Sequence, residues 1–252
     1  MNFRESMYGA VDDSPMWEQL SNLFDGYKSN ENIIPKKIHQ IWLGGELPER
    51  YVRLTNIIKE LNPSWEYKLW SDADVIDYPL KNRELYDKVN NHGIRADILR
   101  YEVLYNEGGI YLDVDFLGIK SFDTLIKNLE FLTGCGHITA PEVFNGLIGC
   151  IPQHPIMKEI IDGLNPDINI SDVGSMYYNI GPQYFSSKFF KYIVDNPDKN
   201  IVVFPTVYFY CYPATLRFNS KFKEFEQPHY TDIMSYCKEE TYVIHLWHSN
   251  WM

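Results

Sequence analysis

Residues 95–116, RADILRYEVLYNEGGIYLDVDF, carry two aspartates one residue apart, Asp113 and Asp115, at the end of an apolar run. In an extended strand alternate side chains share a face. Tyr111, Asp113 and Asp115 therefore point one way and Ile110, Leu112 and Val114 the other, with the carboxylates about 6–7 Å apart along the chain. Unpaired, two such groups repel and are costly to desolvate. A hard divalent cation, Mn²⁺ or Mg²⁺, resolves this, because it takes oxygen ligands from the protein and can bridge them to a diphosphate. The chemistry on offer is metal-assisted departure of a phosphate leaving group. Asp-x-Asp also occurs often in solvated turns; the buried-looking strand and the helix-Gly-Gly-strand setting give this copy its weight.

Three further residues belong with the pair. Asp97 and Arg100 stand at i, i+3 on a helix expected over 94–106, where they can form a local ion pair and project toward the carboxyl end of the next strand. Trp42 ends an expected strand just before Gly44-Gly45, where a ring can stack on a base and glycine lets backbone approach a ligand. Arg95 is expected to face solvent. No G-x-G-x-x-G and no Walker lysine motif is present, so a nucleotide would be held by neither phosphate loop.

The elements that must position these groups alternate. Strands are expected over 37–43, 65–70, 110–114, 144–150 and 201–210, and helices over 49–61, 94–106, 155–164 and 182–194, with Pro at the first position of the last two. Such alternation implies an α/β fold with a mostly parallel, Rossmann-like doubly wound sheet flanked by helices, its ligands beyond the carboxyl ends of the strands. Residues 1–32 read as an accessory segment, with Trp17, Leu20 and Phe24 spaced as the apolar face of a short packing helix. Residues 33–252 contain no linker and read as one domain.

Composition excludes several classes. With 23 Lys and Arg against 34 Asp and Glu, the 252-residue chain has a net charge of −11, which argues against nucleic acid as a partner. An anionic ligand would have to be met by imported positive charge. No apolar run approaches the roughly 18–20 residues of a membrane span, and the start lacks a secretory pattern, so a cytoplasmic protein is expected. The four cysteines are scattered and read as reduced thiols. The 19 tyrosines and 6 tryptophans suit a site that stacks flat or pyranose rings.

IPKKIHQIWLGG, ADILRYEVLYNEGGIYLDVDF and the terminal HLWHSNW together resemble the glycosyltransferases of family 32, which include fungal initiating mannosyltransferases and bacterial capsular-sugar transferases and share a core pattern with the large clostridial glucosylating toxins. The resemblance implies a GT-A fold, a UDP- or GDP-linked sugar donor, a divalent metal, and transfer of a hexose to a glycan or other hydroxyl acceptor with retention of configuration. By matching positions it implies that Trp42 stacks on the base, Asp97 and Arg100 hold donor sugar or phosphate, Tyr111 lines the ribose pocket, Asp113 contacts ribose and sugar, and Asp115 ligates the metal. It also implies that Asn145 and Gly146 face the transferred sugar, and that His245, Trp247 and Trp251 belong to a terminal motif. His245 is the candidate for an additional metal or diphosphate contact, with His248 and Asn250 as rivals. Asn250 stands where the family usually has Ser, and Ile180 where it has Thr.

Two other readings compete. In a haloacid-dehalogenase-like phosphatase Asp113 would attack phosphate and Asp115 protonate the leaving group, although Phe116 stands where Thr or Val is expected. A catalytically silent sugar-nucleotide or glycan-binding protein would keep the fold and lack turnover.

Overall fold

The computed structural model describes residues 2–7, 11–26, 33–127, 129–136, 141–196, 200–215 and 232–248. In chain order the helices are α1 (Pro15–Asp25), α2 (Glu49–Leu61), α3 (Asp72–Val75), α4 (Arg83–Lys88), α5 (His92–Glu107), α6 (Pro155–Asp162), α7 (Val173–Asn179), α8 (Pro182–Asp195) and α9 (Thr206–Phe209). The strands are β1 (Lys37–Ile41), β2 (Glu66–Trp70), β3 (Gly109–Leu112), β4 (Phe116–Gly118), β5 (Phe131–Cys135), β6 (Val143–Cys150), β7 (Ile201–Phe204) and β8 (Val243–His245).

Six strands form one sheet in the order β2-β1-β3-β6-β5-β7, and β4 pairs with β8 in a separate two-stranded ribbon. The fold is a single α/β domain with helices flanking the sheet. The expectation of a mostly parallel sheet needs correction, because the sheet is mixed. β1 is parallel to β2 and β3, and β5 to β7, but β6 runs antiparallel to both β3 and β5. The physical reason lies between β5 and β6: seven residues separate them, far fewer than the dozen or more that a parallel crossover requires.

Three expected strands end earlier than the periodicity suggests, the first of them, expected over 37–43, at Ile41. The strand expected over 110–114 ends at Leu112, and residues 114 and 115 turn. The one expected over 201–210 ends at Phe204, because Pro205 has no N–H to continue the ladder and instead begins α9. Asp72 opens α3, where Asp74 accepts from both the N–H and the hydroxyl of Ser71 in a capping box.

α5 departs from the single apolar stripe expected of a surface helix. Every residue from Asp97 to Leu104 is buried, so the helix runs through the interior and carries Asp97, Arg100 and Glu102 with it. Glu102 is satisfied by the backbone N–H groups of Lys81 and Asn82 and by the Asn82 amide. α1 is present as expected, and Trp17, Leu20 and the preceding Phe3 are fully buried in the same cluster as Phe185, Phe189 and Ile193 of α8. No helix of the described residues is long and apolar enough to cross a membrane.

Candidate active site

Strand direction decides what meets at one edge of the sheet. β1 and β3 are parallel neighbours, so their carboxyl ends deliver Trp42 and Asp113 to the same edge. β6 is antiparallel, so it brings its amino end there: Leu112 pairs with Leu147, and the Asp113 N–H donates to the Gly146 carbonyl at 2.9 Å. Gly146 leaves room beside the Asp113 carboxylate, since a Cβ there would lie 3.0 Å from Asp113 Oδ2. The result is a cleft of about 750 Å³ lined by Trp42, Gly44, Asp97, Arg100, Tyr111, Asp113, Asp115, Asn145, His245 and His248, among others.

Asp113 and Asp115 do not share a strand face. They flank the turn between β3 and β4, which curls both carboxylates toward His245, placed opposite Phe116 by the β4–β8 register. Among the described residues Asp113, Asp115 and His245 form a cluster whose candidate ligand atoms all lie within 4.8 Å of one another. His245 Nε2 is 3.2 Å from Asp115 Oδ1 and 3.8 Å from Asp113 Oδ2. Its ring stacks on Phe116 at 4.5 Å, and its Nδ1 is buried with no hydrogen-bond partner among the described residues. Asp115 Oδ2 accepts the backbone N–H of His248 at 2.7 Å. That contact follows from Trp247, a non-glycine residue at φ 59, a backbone state that is held only when packing over-determines it. Here the indole N–H donates to the Tyr212 carbonyl and the ring sits against His245, Tyr210 and Phe144.

Arg100 closes the other side. Its guanidinium reaches Asp97 and Asp113, both at 3.1 Å, donates to the Asn145 carbonyl at 2.8 Å, and lies over the Tyr111 ring. Asn145 returns its amide to Asp97 at 2.7 Å and to the Tyr101 hydroxyl at 2.9 Å. Tyr111 donates to Asp113 at 2.6 Å. Arg100 faces Asp97 and Asp113, and with Asp115 beyond them the site holds three carboxylates against one guanidinium, two negative charges in excess when all three are ionised and His245 is neutral. Burial pushes Asp97 up to about 6 against the pull of Arg100, and it raises Asp113 as well. Burial opposes the charge on Asp115, yet His245 and the His248 N–H hold it below the usual carboxylate range. The same proximity raises His245 in spite of its burial. Two carboxylates and an imidazole around a site with that charge deficit fit a divalent cation.

At the far end of the cleft Trp42 donates its indole N–H to the Glu46 carbonyl, and its ring packs beside Tyr51. Gly44, at φ +85, gives its N–H to Asp72 at 2.8 Å, and a Cβ there would lie 2.6 Å from the His92 ring.

The structure therefore brings together Trp42, Asp97, Arg100, Tyr111, Asp113, Asp115, Asn145 and His245. Asn250 and Trp251 lie outside the described residues. His248 contributes its backbone N–H to Asp115, and its ring packs by Tyr51 outside the ligand cluster. Arg95 is half-buried, donating to the Val89 carbonyl. Glu142, Phe144, Tyr177 and Tyr210 also line the cleft and were not expected from the sequence. Glu142 and Phe144 follow from the direction of β6; nothing in the sequence marks Tyr177.

Comparison with known proteins agrees with this geometry. Residues 48–132 match the model of the glycosyltransferase sugar-binding region containing the DXD motif. The chain is 33% identical over 144 residues to inositol phosphoceramide mannosyltransferase 3 of Schizosaccharomyces pombe, covering 55% of this chain and 39% of that protein. The chain thus spans about two fifths of that relative's length. It is 28% identical over 236 residues to an uncharacterized glycosyltransferase, L373, of Acanthamoeba polyphaga mimivirus, covering 87% of this chain and 84% of the other. Its fold resembles that of the PaToxG glycosyltransferase, with a TM-score of 0.58, 20% identity, and 71% and 76% of the two chains covered. The chain thus carries a block that matches the DXD sugar-binding region of glycosyltransferases, is similar in sequence to a fungal mannosyltransferase, and has a GT-A-like fold.

Proposed function

We propose that this chain is a metal-dependent, retaining glycosyltransferase of family 32. It moves a hexose from a UDP- or GDP-linked donor to a hydroxyl of a glycan or similar acceptor. The observation that carries the reading is the buried Asp113, Asp115 and His245 cluster on the wall of a cleft of about 750 Å³, a volume in the range of ligand sites. Asp115, with Asp113 and His245, would hold Mn²⁺ or Mg²⁺; bound there, the ion would neutralise charge developing on the diphosphate leaving group. The name of the fungal relative, a mannosyltransferase, supports a hexose as the transferred group.

The chain's own residues have distinct tasks in this reading. Trp42 stacks on the base. Arg100, engaged by Asp97, Asp113 and Asn145, acts as a positioning residue that fixes Asp113. Asp97 and Asn145 present polar atoms to the sugar hydroxyls. Front-face attack is the route to retention in this reading, since Asp97 and Asp113 are each held through one oxygen by Arg100 and serve to bind and orient. A cytoplasmic location is part of the same proposal, and four free cysteines agree with a reducing compartment.

Thermal melting with UDP- and GDP-sugars in the presence of Mn²⁺ tests the donor. At a hundredfold excess over Kd the cognate nucleotide sugar adds about 2.7 kcal/mol, a rise of about 5–10 °C for a chain of this size. Failure of every nucleotide sugar to stabilise the protein, together with no transfer and no donor hydrolysis, sinks the proposal; stabilisation without turnover identifies a silent binding protein. The anomeric configuration of the product, read by NMR, tests retention. Gly44→Ala probes the base end. An L-residue at φ +85 costs about 1–2 kcal/mol, and the new methyl displaces His92. Urea unfolding is expected to show that loss, and the donor-induced rise in melting temperature to shrink.

A further inference from the structure

Glu142 is a cleft carboxylate without an assigned task. It is 8% exposed, and the Tyr177 hydroxyl donates to its Oε1 at 2.5 Å. Among the described residues no Lys or Arg pairs with it, and its second oxygen has no hydrogen-bond partner. Burial raises its pKa, the signature of a carboxylate that packing alone does not reward. Glu142 immediately precedes β6, and it lines the cleft together with Phe144, Asn145 and Gly146 from the amino end of that strand. Gly146 abuts Asp113. β6 bulges against β5 between Phe144 and Ile148, so Asn145 as well as Gly146 lines the cleft between Glu142 and Asp113, and the transferred sugar would sit between the metal cluster and Glu142. The half-buried Phe144 ring offers an apolar platform beside the carboxylate, the pairing that suits one face of a pyranose and its hydroxyls. Charge narrows the choice. Arg100 is the only Lys or Arg among the described residues lining the cleft, and Asp97 and Asp113 already occupy it. Among the described residues, none supplies a second cation that would offset the repulsion between a phosphate group and Glu142.

We propose that Glu142, held by Tyr177 and flanked by Phe144, positions the acceptor by accepting hydrogen bonds from its hydroxyls, and that the cleft selects an uncharged sugar acceptor over a phosphate-bearing one. The inference rests on the transferase reading above and names its acceptor class.

Saturation-transfer NMR and acceptor kinetics with methyl glucosides, galactosides, mannosides and N-acetylglucosaminides, set against glycerophosphoinositol, test it. The wild-type protein is expected to bind at least one methyl glycoside in preference to glycerophosphoinositol. In Glu142→Gln, which keeps the shape and removes the charge, that affinity falls about 10- to 100-fold, as for a lost hydrogen bond to a charged group. The acceptor KM rises by the same factor, and the ratio of transfer to donor hydrolysis falls at least tenfold. Tyr177→Phe, which leaves Glu142 present but unheld, gives a smaller loss in the same ratio and serves if Glu142→Gln does not fold. Preference for glycerophosphoinositol, no binding of any methyl glycoside, or equal loss of transfer and hydrolysis overturns the inference. Glycoside binding that depends on Glu142 in a protein that turns over no donor would leave the sugar site standing and remove the transferase reading.

Discussion

Asp115→Ala is expected to abolish Mn²⁺-dependent donor hydrolysis and transfer, by about 10³-fold or more, while the protein remains folded. The magnitude follows from the role: removing even one group that stabilises leaving-group charge costs about 10²–10³, and Asp115 would also hold the ion that supplies most of that stabilisation. The fold survives because the loss is balanced locally. Asp115 is 6% exposed and accepts the His248 N–H, so its removal orphans that donor, at about 1–3 kcal/mol. It also relieves repulsion with Asp113. Asp115→Asn separates the two effects, because its amide oxygen can still accept from His248 while the charge is gone. Circular dichroism and urea unfolding should place Asp115→Asn close to the wild-type protein, and Mn²⁺ binding by calorimetry should be lost in both variants. Activity within twofold of wild type in either variant would remove Asp115 from the metal site.

Arg100→Met has the largest expected effect on stability. The guanidinium is the shared partner of the buried Asp97 and the half-buried Asp113 and donates to the Asn145 carbonyl, so its loss leaves the interior charge of Asp97 uncompensated, at about 3–5 kcal/mol. Arg100→Lys is not a conservative rescue, because a single ammonium cannot span Asp97, Asp113 and the carbonyl together. The pH dependence gives a second reading. Burial already raises Asp97 to about 6 with Arg100 present, and without it the carboxyl rises further. Between the unfolded carboxyl value near 4 and that raised value, the folded variant holds a proton that the unfolded chain does not, so its stability falls as pH rises through this window. Urea midpoints should therefore show the deficit of Arg100→Met largest at pH 7 and shrinking toward pH 4–5. A deficit independent of pH would mean that Asp97 is not the group left unpaired.

Much of the site was legible because local pattern carried it. The apolar strand ended by Asp113 and Asp115, the Asp97 and Arg100 spacing, and Trp42 before two glycines are all properties of short segments, and the structure gathers these residues in one cleft. The interior course of α5 was harder to read, since polar residues on three sides of a helix suggest solvent until their partners are seen. Asp97 and Arg100 both find Asn145, 48 and 45 residues away, and Glu102 finds Asn82 across 20 residues of chain. Periodicity overran the ends of β3 and β7, because a run of apolar residues does not register a turn that a proline or a pair of liganding carboxylates imposes.

By itself the sequence determined the chemistry at the centre of this protein: an acidic pair that demands a cation, the helix that precedes it, and an α/β order of elements. Only the tertiary structure decided the rest of the site. The antiparallel course of β6 turned the start of a strand toward the ligand and so brought Asn145, Gly146 and Glu142 to the cleft. The β4–β8 register set His245 beside aspartates some 130 residues earlier. Both are choices of strand direction and pairing, made by the packing of the whole core, and no window of residues short enough to read as a motif contains them.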